Sequence, residues 1–195
     1  MTGIVVHAAS ADRWPDVATI FKGDGELGCW CQYWRQSSGD YGRKALGSGE
    51  ARLRGQVDSG RPAPGLIAYV DDAPAGWCGF GPRPSMERLV RSKTIPTIDD
   101  QPVWSIVCFK VQVGYRRRGV THALLAGVIE YARAQGASML EAYPIDPEDE
   151  RLDVSFSYVG FTGVFEAAGF TRVLETTAKS ARRPRWLMRL DLRAT

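Results

Sequence analysis

Residues 111–125 read VQVGYRRRGVTHALL, and this stretch decides the fold. The run that leads into it, SIVCFKV, is rich in β-branched and aromatic residues and predicts a buried strand over residues 102–111. The run that follows, THALLAGVIEYARAQG, sets Leu124, Leu125, Val128 and Ala132 on one helical face. It predicts a helix that begins at Gly119 and stops at Gly136. Three arginines and a glycine fill the turn between strand and helix. Such a turn aims several backbone N–H groups, and the positive end of the helix dipole, at one point, which is an arrangement that attracts phosphate. A further strand at residues 138–143, closed by Pro144, completes a β-α-β unit with its ligand expected at the strands' carboxyl ends.

The turn resembles the acyl-CoA signature of the GNAT superfamily of N-acyltransferases. That signature runs Arg or Gln, two residues, Gly, one residue, then Gly or Ala, and here the chain reads Arg116-Arg117-Arg118-Gly119-Val120-Thr121. Thr121 departs from the small residue usual at the last position, although its hydroxyl could add a phosphate contact. The strand ending at Phe109 to Val111, Tyr115 before Arg116, and the Ala-Leu-Leu helix after it supply the context the motif requires. The resemblance is firm over residues 104–170 and looser elsewhere. It implies one domain over residues 1–195, a mixed and largely antiparallel twisted sheet with helices on both faces. It also implies acetyl-CoA as donor, an amine as acceptor, and phosphate binding by Arg116, Arg117, Arg118, Gly119, Val120 and Thr121.

Composition narrows the classes. The chain has 195 residues, enough to bury a substantial core. Its net charge of +3 is slight, and the arginines cluster only at residues 116–118 and 182–185, so a general nucleic-acid surface is not implied. No run of about 18 apolar residues would span a membrane, and the N-terminus lacks the basic and apolar regions of a signal peptide, so a cytoplasmic protein is expected. Cys29, Cys31, Cys78 and Cys108 are too sparse for a disulfide-stapled fold, and the single residue between Cys29 and Cys31 does not match a zinc site. No metal is expected, and a reactive Cys31 stays open.

Along the rest of the chain, residues 3–8 read as a strand and Ser10 as the N-cap of a helix over 12–21. Residues 43–57 suggest a surface helix that bends or begins late because of Gly47 and Gly49. Residues 65–70 and 75–80 form a hairpin around 71–74. The prolines and basic residues of 83–97 suggest a mobile crossing segment, read as a lid or specificity loop with a plain surface excursion as the alternative. Residues 146–153 read as an acidic loop, and residues 171–176 and 185–192 as two closing strands joined by a basic link over 179–184. In the family such a terminal hairpin flanks the acceptor site or an oligomer contact, which leaves a homodimer open.

The resemblance also distributes chemical roles. In the family the strand equivalent to 102–111 splays from its neighbour, and its unpaired backbone, here at Phe109 and Val111, pairs with the pantetheine arm and polarises the thioester carbonyl. The region between the first two helices shapes the acceptor side, which nominates Trp30, Tyr33 and Trp34 as pocket walls for an apolar or aromatic amine. The alternative for this segment is a structural plug packing the first helix on the sheet. The family's usual proton donor is a Tyr four residues before Gly-Phe. Gly169-Phe170 is present, but the Tyr position holds Phe165, which can pack on cofactor and cannot donate. Tyr158, at a position the family usually fills with Asn, is the nearest replacement.

A base is needed as well, because an amine attacks only when neutral. Glu141 is the candidate, and it reads equally as an edge residue facing solvent; Asp146 and Tyr143 follow. His122 lies too close to the turn to reach the thioester comfortably. If strand alternation holds, Ser105, Val107, Phe109 and Val111 share one face. Transfer of acetyl directly to a primary amine in a ternary complex is the expected activity. A non-catalytic acyl-CoA sensor or scaffold is the alternative, favoured by Phe165.

Overall fold

The computed structural model describes residues 3–24, 28–43, 45, 47–147 and 158–193. A seven-stranded sheet of β1 (Ile4–Ala8), β2 (Gly65–Val70), β3 (Ala73–Pro82), β4 (Val103–Val111), β5 (Met139–Ala142), β6 (Thr171–Ser180) and β7 (Arg183–Asp191) runs in the order β1-β2-β3-β4-β5-β7-β6. Only β4 and β5 are parallel; every other neighbouring pair is antiparallel. The sheet is therefore mixed and largely antiparallel, with helices on both faces, as expected.

One face is covered by α4 (Val120–Ala134) and α5 (Thr162–Ala167). Val120, Leu124, Leu125, Val128 and Ala132 of α4 pack with Leu66, Cys78, Phe80, Ile106 and Leu140 of the sheet. The stop at Gly136 is a paired-carbonyl cap: Gly136 N–H donates to Arg133 O at 2.9 Å and Ala137 N–H to Ala132 O at 3.0 Å. The other face carries α1 (Trp14–Phe21) and α2 (Gly49–Ser59), whose Val17, Phe21, Leu53 and Val57 pack with Ile67 and Trp77. The helix α2 begins late, at Gly49, and the Ser48 hydroxyl caps it by accepting from Ala51 N–H.

Three local expectations need correction. Residues 83–97 are not a loose excursion: they hold α3 (Glu87–Val90), and Arg83, Met86, Leu89 and Ile95 are buried against Val107, Tyr143 and Leu187. The closing strands β6 and β7 run through most of the basic link and turn at Ala181 and Arg182, both with positive φ. The register of β3 on β4 shifts between Gly79, which faces Cys108, and Phe80, which faces Ile106, so Val107 is an extra residue. That bulge breaks the alternation. Phe109 and Val111 join Ile106 on the α4 face, while Ser105 and Val107 lie on the opposite one. Of the expected acidic loop at 146–153, residues from 148 onward lie outside the described residues.

Candidate functional site

The arginine turn leaves β4 through a short 3-10 segment, Val113–Tyr115, and enters α4 at Gly119. Gly119 sits at φ 83°, a left-handed conformation that a side chain would strain. It provides no side-chain cap, the first turn of α4 holds no acidic residue, and Ala123 N–H opens the helical ladder by donating to Gly119 O at 3.0 Å. Among the described residues no side chain caps the N–H groups that precede Ala123. Val120 anchors the turn from below: a Cβ on Gly76 would meet its Cγ1 at 2.8 Å, so β3 approaches closely here. Arg116, Arg117 and Arg118 are exposed. Arg116 Nε donates to Val111 O at 3.3 Å and Arg118 lies over the Tyr115 ring.

Beside the turn, β4 and β5 part. Their ladder ends at Ile106 opposite Ala142. Ile145 then bridges Phe161 on one side and Arg185 on the other, and among the described residues no strand pairs with the β5-side edge of β4 from Val107 to Val111. Gln112 N–H turns toward β3 and donates to Ala75 O at 2.9 Å. Antiparallel alternation then turns the backbone groups of Val111 and Phe109 the other way, into the cleft. A groove of about 270 Å³ between α4 and α5, lined by His122, Leu125, Ala126, Ile129, Val164, Ala167 and Ala168, begins next to the turn.

Glu141 does not stand free at this cleft. It is buried on the opposite face, where its Oε2 accepts from Arg83 Nη1 at 2.8 Å and from the Tyr143 hydroxyl at 2.8 Å. Its Oε1 accepts from Arg189 Nε and Nη2 at 2.8 and 2.7 Å, and Arg189 pairs in turn with Asp99. Ser105 Oγ lies 2.8 Å from the Tyr143 hydroxyl. Burial, then the negative charge of Glu141, pushes the Tyr143 phenol far up. Both carboxylate oxygens are thus occupied by donors, which is the geometry of a counter-charge and not of a waiting base. Asp146 is likewise paired, 2.6 Å from Arg172.

The aromatic segment divides in two. Trp30, at φ 44°, is buried and stacks against Phe21 and Trp14, so it is the plug that packs α1 and no pocket wall. Tyr33 and Trp34 face away from it and meet edge to face at 5.0 Å between centroids. Arg88 covers the Tyr33 ring, and Arg185 of β7 lies over Trp34 at 5.4 Å and over Tyr158 at 5.5 Å. Arg185 Nη2 donates to the Tyr158 hydroxyl at 2.7 Å. Burial raises the Tyr158 phenol, against the lowering effect of Arg185, and the thiol of Cys108 on β4 is among the groups that act on it. Tyr158 and Trp34 are thereby brought together through an arginine that sequence reasoning did not nominate.

Phe165 is fully buried between Phe109 and Phe170, so it forms the floor under the cleft and does not face it. Cys31 is buried next to Cys108, whose hydrogen bond lowers its thiol while that of Cys108 is pushed up. Among the described residues no cluster of three or more His, Cys, Asp or Glu side chains is placed to hold a metal ion, and no helix is long and apolar enough to cross a membrane.

The sequence model of the acetyltransferase (GNAT) family matches residues 28–152. The chain belongs to this family. The match spans the aromatic segment, β4, the arginine turn, α4 and β5. Solved GNAT structures share the fold at low identity. A mutant agmatine N-acetyltransferase in its apo form aligns with TM-score 0.59 at 10% identity, over 96% of this chain and 99% of that one. A GCN5-related N-acetyltransferase from Kribbella flavida gives 0.57 at 16%, covering 96% and 97%. The putative acetyltransferase yncA from Salmonella typhimurium, solved with its cofactor acetyl-CoA, gives 0.56 at 13%, covering 98% and 95%. A comparison with curated proteins found no match.

Against the GNAT pattern, Arg185 was the residue that sequence reading missed. It lies in a basic run that reads as surface charge, and the rings that cover it are distant in sequence. The only available signal was the aromatic character of its partners.

Proposed function

We propose that the protein transfers an acetyl group from acetyl-CoA to a primary amine by direct attack in a ternary complex. The observation that carries this reading is the continuity of two features: the unpaired edge of β4 at Phe109 and Val111, and the uncapped start of α4 at Gly119. An extended pantetheine arm can add to such an edge as a strand would, while its pyrophosphate meets the N–H groups of Val120 and Thr121. Arg116, Arg117 and Arg118 would screen the outer phosphates. The acetyl-CoA held by the structurally similar yncA supports the choice of donor.

In this reading the amine nitrogen attacks the thioester carbonyl carbon, and a backbone N–H at or near Val111 stabilises the oxyanion. When the C–S bond breaks, the thiolate takes the Tyr158 proton. Tyr158 suits that role because its oxygen accepts from Arg185, leaving its own proton to donate, and because burial keeps it protonated at neutral pH. Tyr33 and Trp34 form the acceptor wall. Glu141 holds Arg83 and Arg189 in place. The acceptor ammonium loses one proton to water before attack, and the proton its nitrogen sheds on becoming the amide passes through solvent to Tyr158 and restores the phenol.

The test is thiol release from acetyl-CoA with a panel of amines, together with mass detection of the acetylated amine. Acetyl-CoA-dependent product with at least one amine is expected. Tight acetyl-CoA binding without turnover for any amine would favour a sensor instead.

A further inference from the structure

Arg83, Arg185 and Arg189 lie on the face of the sheet that carries the acceptor wall, the first two buried and Arg189 partly so, and two of the three are neutralised. Arg83 pairs with Glu141, and Arg189 with Glu141 and Asp99. The third, Arg185, is 5% exposed, and among the described residues no carboxylate pairs with it. Its polar contact is the neutral Tyr158 hydroxyl, and its Nε has no hydrogen-bond partner. Nε of Arg83 is also unpartnered, but there Glu141 meets the charge. Trp34, 9% exposed beneath the Arg185 guanidinium, has an unpartnered Nε1–H as well. A buried cation with no anion is costly, and cation–π contacts recover only part of its lost hydration.

We propose that the missing anion is a carboxylate of the acceptor, so that the substrates are amino acids with apolar or aromatic side chains and not simple alkylamines. This rests on the acyl-transfer reading above. The rings of Trp34 and Tyr158 lie against the guanidinium, which favours an anion arriving in its plane. A planar carboxylate fits that approach and can take two parallel N–H bonds. The location fits a short spacer between amine and carboxylate. Arg185 bridges Ile145 just beyond the end of β5, and Trp186 N–H donates to Pro144 O at 2.9 Å, which fixes this part of β7 at the mouth of the cleft. The proposed proton donor, Tyr158, is one hydrogen bond away at 2.7 Å. An acceptor whose carboxylate is held by Arg185 therefore carries its amine close to the thioester.

The test uses the intact protein at saturating acetyl-CoA and matched acceptors: phenylalanine, phenylalanine amide and phenethylamine, and the corresponding leucine and methionine sets. Rates are compared per neutral amine, because the members of a set differ in basicity. In at least one set the carboxylate form should exceed its amide and its amine in kcat/KM by at least about thirtyfold. Arg185→Gln should bring that ratio close to one, whereas Tyr158→Phe should slow all members alike and leave the ratio intact. A structural role for Arg185 would not change the ratio. Equal rates within every set, or preference for the uncharged members, overturns the inference; so does acetyl-CoA binding without acetylation of any carboxylate form. Failure to bind acetyl-CoA, read by calorimetry, removes the acyl-transfer reading and this inference with it. Should Arg185→Gln not fold, the comparison within the native protein decides alone.

Discussion

Arg83 and Glu141, 58 residues apart in the chain, meet at 2.8 Å with side chains 6% and 1% exposed. Arg83 leaves the end of β3, Glu141 sits in the middle of β5, and Arg189 reaches the same carboxylate from β7. One charge therefore ties β5 to β7 and to the segment that carries α3, directly below the point where β4 and β5 part. Replacing one member leaves its partner buried and under-compensated. Arg83→Met should lower stability by about 3–5 kcal/mol, read as a shift of the denaturation midpoint with unchanged slope. An unshifted midpoint would show that the network contributes no net stability.

Tyr158→Phe removes the proposed proton donor and keeps the ring beside Arg185. It should lower kcat by about a hundredfold and leave acetyl-CoA affinity unchanged, measured by steady-state rates and calorimetry. Full activity in the variant would remove Tyr158 from the chemistry.

The pH profile separates loss of the amine proton to water from capture by a fixed base. Because burial raises the Tyr158 phenol above its ordinary value of 10.0, this group stays protonated below that pH. The rate should rise as the acceptor loses its proton, with no fall below about pH 10. Two acceptors of different basicity should shift the rising limb by their own difference in pKa. A limb that stays fixed for both acceptors would point to an enzyme base such as Glu141. The same sign governs stability: with the Tyr143 and Tyr158 phenols raised on folding, their contribution is complete below the ordinary phenol range and is lost as pH climbs through it.

Two neighbouring tryptophans should behave differently. Trp30→Ala empties a site packed by Phe21 and Trp14 and should cost about 3–5 kcal/mol of stability, with the acceptor preference of the remaining folded protein unaltered. Trp34→Ala removes the ring under Arg185 and should raise KM for the acceptor. Denaturation curves and acceptor KM values for both variants check this. A raised acceptor KM in Trp30→Ala alone would reverse the division.

The β4-turn-α4-β5 unit was legible because every signal within it is local: a β-branched run, a glycine at φ 83°, a helical apolar face and a glycine stop at φ 77°. The late start of α2 was legible for the same reason, since Gly47, Ser48 and Gly49 lie together. Pairings between distant residues were not. Burial of Arg83 depends on Glu141, and the position of Arg185 depends on Trp34 and Tyr158. Nothing in the local sequence distinguishes these arginines from solvated ones. The bulge at Val107 was hidden too, because the extra residue is an ordinary apolar one in an apolar run and only the register against β3 exposes it. Trp30 and Trp34 look alike in sequence, and the left-handed backbone at Trp30 and Cys31 sends them to different sides.

The proposed acyl-CoA site joins the turn at Gly119 to the open edge of β4. Calorimetric titration with acetyl-CoA tests it most directly, run beside Gly119→Asp, which strains a left-handed position and sets a negative charge where the pyrophosphate would lie. Saturable, one-to-one binding by the native protein and its loss in the folded variant are expected, with the fold checked by circular dichroism. No binding by the native protein, or equal binding by both, would contradict it.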